Sequence, residues 1–182
     1  WAKEFTDESI FEFQTTSQYN PQRNSLGYYT DPTGYAEAAM SDSFVEDFVK
    51  NPAYAKDIRV STGMIKEESD GTKNKAFYTQ KYPGRDGQIY VNNAKVFRLS
   101  EMYLIAAEAA AHVNGKLDLA KTRLKELVKN RLTPAYYSRK ASEIDGMGQE
   151  ELINEIANER ARELALEGHR WYDLRRTTRP EI

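Results

Sequence analysis

The chain has no cysteine in 182 residues, which removes disulfides, thiolate zinc sites and cysteine nucleophiles together. Histidine is nearly as scarce. His112 and His169 are the only unperturbed near-neutral proton carriers. Long apolar runs are also missing: the longest, residues 102–107, ends at Glu108, far short of the roughly 18 residues a membrane span needs. Neither charge sign dominates, with 26 Lys and Arg against 28 Asp and Glu and a formal charge of -2. That balance argues against a nucleic-acid partner, because phosphate binding needs clustered positive charge. No basic stretch leads into an apolar run, so no signal peptide is visible. The chain opens at Trp1 rather than Met, and reads as a processed or excised piece with any targeting signal upstream. What remains is 40% hydrophobic and 30% charged, enough apolar mass to build a core.

The character of the sequence changes near residue 96. Sixteen of the 21 aromatic residues lie in residues 1–97, with four of the six Pro and six of the ten Gly. That composition predicts a loop-rich part over 1–95 with short strands and one or two helices, followed by a helical part over 96–182. Residues 9–14 read as a short strand. Two Pro, two Gly and four Tyr over 17–35 predict a long loop. Ser41 or Asp42 starts a helix to about Lys50 that Asn51-Pro52 stops, with Phe44, Val45, Phe48 and Val49 on one face. Residues 57–91 read as extended, punctuated by Asp70-Gly71 and by the run Pro83 to Gly87.

Beyond Val96 the three- and four-residue spacing of Leu99, Met102, Tyr103, Ala106, Ala109, Ala110 and Val113 predicts a helix buried on that face. Asn114-Gly115 ends it, and a second helix runs over 117–131 with Leu117, Ala120, Leu124, Leu127 and Val128 inward. After a loop carrying Gly146 and Gly148, a third helix spans 149–167, and a short one spans 171–176. Two helices with a tight turn are similar to one tetratricopeptide-type hairpin. The fold class is therefore mainly α, an α-rich α+β chain with helix hairpins in its second half.

Few residues offer chemistry. Glu155, Glu159, Glu163 and Glu167 recur every four residues and share a helix face, as carboxylate metal sites do. Arginines interleave them, and no His stands at the Glu-x-x-His spacing, so a structural ion-pair ladder is the better reading and no metal is expected. Neither a G-x-S-x-G, an H-E-x-x-H nor a phosphate-cradling loop occurs, and 28 acids single out no catalytic pair. The chain is read as no enzyme, with no cofactor. The remaining candidate is the tyrosine-rich segment: Tyr19, Tyr28, Tyr29 and Tyr35, interleaved with Arg23 and Asn24. Rings that pack on sugar faces, with amides and guanidinium bonding hydroxyls, suit carbohydrate; the same rings could instead pad a loop against the core.

Two long runs carry a resemblance. The first is Arg98-Leu99-Ser100-Glu101-Met102-Tyr103-Leu104-Ile105-Ala106-Ala107-Glu108-Ala109. The second runs from Glu159-Arg160-Ala161-Arg162-Glu163 through Glu167-Gly168-His169-Arg170-Trp171-Tyr172-Asp173-Leu174-Arg175-Arg176. With Glu8 to Gln14, Asp57-Ile58-Arg59 and Lys81-Tyr82, they resemble the carboxy-terminal region of the SusD/RagB family. The resemblance implies an outward-facing, lipid-anchored protein of the outer membrane. Such proteins capture oligosaccharide or polysaccharide without catalysis and pass it to a SusC-like TonB-dependent transporter. It also implies a tetratricopeptide-like framework under a variable ligand face, with the two long runs as framework and the tyrosine segment in the variable part. Tyr28, Tyr29, Tyr35, Arg23 and Asn24 are accordingly the expected ligand contacts. A tetratricopeptide-like scaffold for a peptide is the alternative.

Overall fold

The structure, a computed structural model, describes residues 3–72 and 75–178. It divides into two compact units, Trp1–Arg98 and Leu99–Ile182. The division lies three residues beyond the compositional change because Val96, Phe97 and Arg98 complete a strand rather than begin a helix.

In the first unit, strand β1 (Ser9–Phe13) is one half of a two-stranded antiparallel ribbon whose other half comes from far along the chain. Helix α1 (Leu26–Thr30) interrupts the segment expected to be loop, and a 3-10 turn, Gln22–Asn24, precedes it. Five residues are too few to show a helical period, and what starts α1 is local: Ser25 Oγ accepts the Tyr28 N–H at 3.1 Å. Helix α2 (Asp42–Phe44) is capped by Ser41 and continues as a π-helical turn, Val45–Val49, burying Val45 and Phe48 as the spacing predicted. Pro52 then opens a 3-10 turn, Pro52–Tyr54.

The stretch 57–91 is not extended throughout. Asp57 caps helix α3 (Ile58–Ser61), and only then do β2 (Ile65–Ser69) and β3 (Lys75–Thr79) pair as a hairpin. Near its tip Asp70 Oδ1 accepts from the Thr72 N–H at 2.8 Å. Residues 80–93 form a loop whose sharpest bend, Asp86-Gly87, has positive φ at both positions (53° and 72°). That pair of angles is what a tight hairpin turn between Arg85 and Gln88 requires. Strand β4 (Ala94–Arg98) then pairs with β1, setting Glu12 opposite Lys95 and Phe11 opposite Phe97. Two register shifts in β1 explain its imperfect alternation, and the ribbon is inverted: Glu12 is buried while Phe11, Phe13 and Phe97 are exposed.

The second unit is helical: α4 (Leu99–Ala111), α5 (Leu117–Lys129), α6 (Pro134–Gly146), α7 (Gln149–Glu163) and α8 (Arg170–Thr178). Its core gathers Leu104, Ala107 and Ala111 of α4 with Ala120, Leu124, Leu127 and Val128 of α5, and adds Ile144, Leu152 and Ile156. The inward face of α5 is the expected one. That of α4 is not: Ser100, Glu101, Leu104, Ala107, Ala110 and Ala111 are buried, so the helix is rotated from the expected phase. Because α4 is apolar almost all round, several phases fit its period, and buried Glu101 marks the inner face.

Helix α6 replaces an expected loop. Pro134 stands at the first helical position, where its missing N–H costs nothing, rather than ending the preceding helix. Only Ile144 of α6 is fully buried, so its apolar period is too weak to read. Gly148 precedes α7, and its N–H donates to Glu151 Oε2 at 3.0 Å. Among the described residues no helix is long and apolar enough to cross a membrane.

Candidate functional site

The tyrosine segment folds into one ring cluster because two glycines permit close approach. A Cβ on Gly27 would lie 2.0 Å from the Ile89 carbonyl oxygen, so α1 rests directly on the 80–93 loop. One on Gly34 would lie 2.2 Å from the Tyr28 carbonyl oxygen. That carbonyl accepts the Tyr35 N–H at 2.8 Å, and the Tyr29 carbonyl accepts the N–H groups of Glu37 and Ala38 at 3.0 and 3.1 Å. The chain thus doubles back and sets Tyr35 against both partners. The Tyr28 and Tyr35 rings meet edge to face at 4.8 Å, and Tyr29 lies tilted against Tyr35 at 5.4 Å. The Arg23 guanidinium sits over the Tyr28 ring, 5.8 Å from its centre.

Four of the five expected contacts therefore come together. Asn24 does not join them through any ring; it is exposed in the 3-10 turn, its N–H bonded to the Pro21 carbonyl at 3.0 Å. Tyr28 and Tyr29 are half-buried and Tyr35 is 44% exposed. The segment is bracketed by Gln22 at φ 52° and Ala36 at φ 54°, left-handed angles that non-glycine residues adopt only where the surroundings impose them.

Beneath the ribbon lies a polar network that the sequence alone did not reveal. The Glu12 carboxylate accepts from Lys95 (2.8 Å), Asn93 (2.9 Å), Ser9 (2.7 Å) and the Phe5 N–H (2.7 Å). Burial alone would raise its pKa; these four donors outweigh burial and hold it at about 2 against an ordinary 4.5. Arg85 reaches Glu4, and its second terminal nitrogen donates to the Thr15 carbonyl. The signal for Arg85 was present in the run Pro83 to Gly87, but it read only as a turn. The short motifs are explained in the same way. Arg59 forks onto Asp57 at 2.9 and 2.7 Å while lying over Phe48, and Arg98 bonds Glu8 at 2.6 Å.

The charged ladder of the second unit is a buried ion-pair network. Glu159 is 2% exposed and accepts from Arg162 at 2.9 Å; Arg162 also bonds Glu155 at 2.7 Å, which Lys140 of α6 approaches at 3.0 Å. Glu163 pairs in fork geometry with Arg131, both bonds 2.9 Å, so its partner lies beyond α5 and not on its own helix. Arg160 bonds Asp173 and stands 3.8 Å from Glu101. Arg176 bonds Asp173 and Glu108, and its hydrogen bond holds the Glu108 carboxyl below the usual range. His169 Nδ1 lies 3.4 Å from Glu101, whereas His112 is exposed just past α4. Guanidinium groups meet most of these carboxylates, so the arrangement ties the helices together.

Residues 91–181, from the end of the 80–93 loop through α8, match the model of the SusD family, and the tyrosine segment lies outside the matched part. No curated protein sequence is significantly similar. Among solved structures, a SusD superfamily protein from Bacteroides vulgatus is 27% identical with a TM-score of 0.72, covering 94% of this chain and 36% of its own. A protein of the same organism, provisionally described as sugar binding, is 28% identical with a TM-score of 0.70, covering 92% and 33%. A SusD superfamily protein from Bacteroides thetaiotaomicron is 25% identical with a TM-score of 0.72, covering 95% and 38%. The chain spans about a third of the length of these structures. With residues 91–181, half of its length, fitting the family model, the chain belongs to the SusD family.

Proposed function

We propose that this chain contributes the glycan-binding part of a non-catalytic nutrient-capture protein. It acts on the outer face of the outer membrane, lipid-anchored, beside a SusC-like TonB-dependent transporter. The observation that carries the reading is the tyrosine cluster. Three rings held together by backbone bonds, with a guanidinium over one of them, lie within a SusD-family chain, and one solved relative is described as sugar binding. Capture needs rings and donors fixed in advance rather than a tuned pKa, and the cluster supplies both. An oligosaccharide docks against Tyr28, Tyr29 or Tyr35, with Arg23 or Asn24 bonding its hydroxyls.

The test is calorimetric titration of the intact protein with oligosaccharides, alongside an assay for released reducing sugar. Saturable binding without release is the expected result. Release of reducing ends would make the protein a hydrolase, and capture of peptides in place of glycans would favour the scaffold reading. The transporter partnership is checked separately by co-purification from detergent-solubilised outer membranes.

A further inference from the structure

The cluster's geometry divides the labour among its members, and we infer that Tyr35 alone is the stacking platform, reading a neutral glycan through the C–H face of one pyranose ring. This rests on the glycan-binding reading above and goes beyond it by naming the ring, its supports and the charge class of the ligand. A platform must be both open and immobile. Tyr28 fails the first condition: it is half-buried and Arg23 lies over its ring. Tyr29 is also half-buried and tilted 53° against Tyr35. Tyr19 fails the second, for it is 73% exposed with no ring contact among the described residues.

Tyr35 meets both conditions. It is open, two rings buttress it, and its own N–H is tied to the Tyr28 carbonyl. The residues on either side leave it little freedom. Gly34 has no room for a side chain, and Ala36 is held at φ 54°. Tyr28 and Tyr29 are thus positioning residues, and the Tyr28 ring supports Arg23, whose N–H groups have no hydrogen-bond partner among the described residues. The ligand's charge follows from the segment's own. Residues 22–37 carry one cation, Arg23, and two carboxylates, Asp31 and Glu37, so an acidic sugar gains nothing there. A single open ring makes a single-ring contact, of the size that one aromatic face buries.

Titration of the intact protein should use hexasaccharides of α-1,4-glucan, β-1,4-glucan, β-1,4-xylan and β-1,4-mannan, with a galacturonate hexamer as the charged probe. For the neutral probe bound best, Tyr35→Ala is expected to weaken affinity about tenfold, and Tyr35→Phe to retain it. Tyr28→Leu and Tyr29→Leu should weaken binding less than Tyr35→Ala does, since these rings support Tyr35 rather than carry the stack. Wild-type affinity in Tyr35→Ala, or a larger loss in Tyr28→Leu or Tyr29→Leu than in Tyr35→Ala, would overturn the assignment and leave the glycan reading intact. Preference for the galacturonate hexamer would overturn the neutral class. If wild type binds none of the five probes, the underlying reading falls and this one with it.

Discussion

At the scale of single residues, the buried charges set the response to pH and to mutation. Glu12 has a carboxyl depressed to about 2 in the folded state against an ordinary 4.5. A depressed acid contributes stability that is present above its unfolded pKa and lost as pH falls through the folded one. Stability of the intact protein should therefore hold above about pH 5.5 and decline between about 4.5 and 2, with Glu12 supplying about 1–3 kcal/mol of the change. Denaturant unfolding across that window checks it: Glu12→Gln should flatten the slope, and an unchanged slope would remove Glu12 from the account. Glu163 is a harsher case. Removing its side chain leaves Arg131 without its fork partner, so Glu163→Ala should cost about 3–5 kcal/mol in urea unfolding. Full stability with lost glycan binding would instead mean that Glu163 belongs to a binding site.

Among the elements, α1 matters most, because five residues place two of the three clustered rings. Its seat on the 80–93 loop depends on the bare Cα of Gly27, since a Cβ would stand 2.0 Å from the Ile89 oxygen and 2.5 Å from Asn92 Nδ2. Gly27→Ala should thus shift α1, destabilise the protein by about 1–3 kcal/mol and weaken glycan binding, although residue 27 presents no side chain to a ligand. Thermal melting and titration of one variant read both effects, and wild-type values in both would show that α1 can slide without consequence. Other elements show how far local pattern reaches. The faces of the Val45–Val49 turn and of α5 were legible because each is apolar on one side only. Helix α6 was not, since its anchors are Ile144 and an ion pair from Lys140 to Glu155, neither of which makes a period.

Taken as a whole, the molecule is nearly neutral, with a formal charge of -2, and many of its charges meet a counter-charge within the chain. Glycan affinity should accordingly change by less than about twofold between about 50 and 500 mM salt, because screening acts on exposed charge. Steep salt dependence in titration would point to an anionic ligand. Length, charge balance, the missing cysteine and the apolar periods determined by themselves that the chain is mainly helical in its second half, that it has no thiol chemistry, and that its Glu–Arg spacing is a ladder. Those properties are local, carried by residues within a helical turn of one another. Only the tertiary structure decided which face of α4 is buried, that Glu163 takes its partner from Arg131, and that Glu12 meets Lys95. It also decided that Tyr28, Tyr29 and Tyr35 share one cluster on a loop some sixty residues further on. Each of these is a contact between segments that spacing along the chain does not relate. It forms because a buried charge must find its counter-charge wherever the fold brings one, and because a glycine leaves room for another segment to approach.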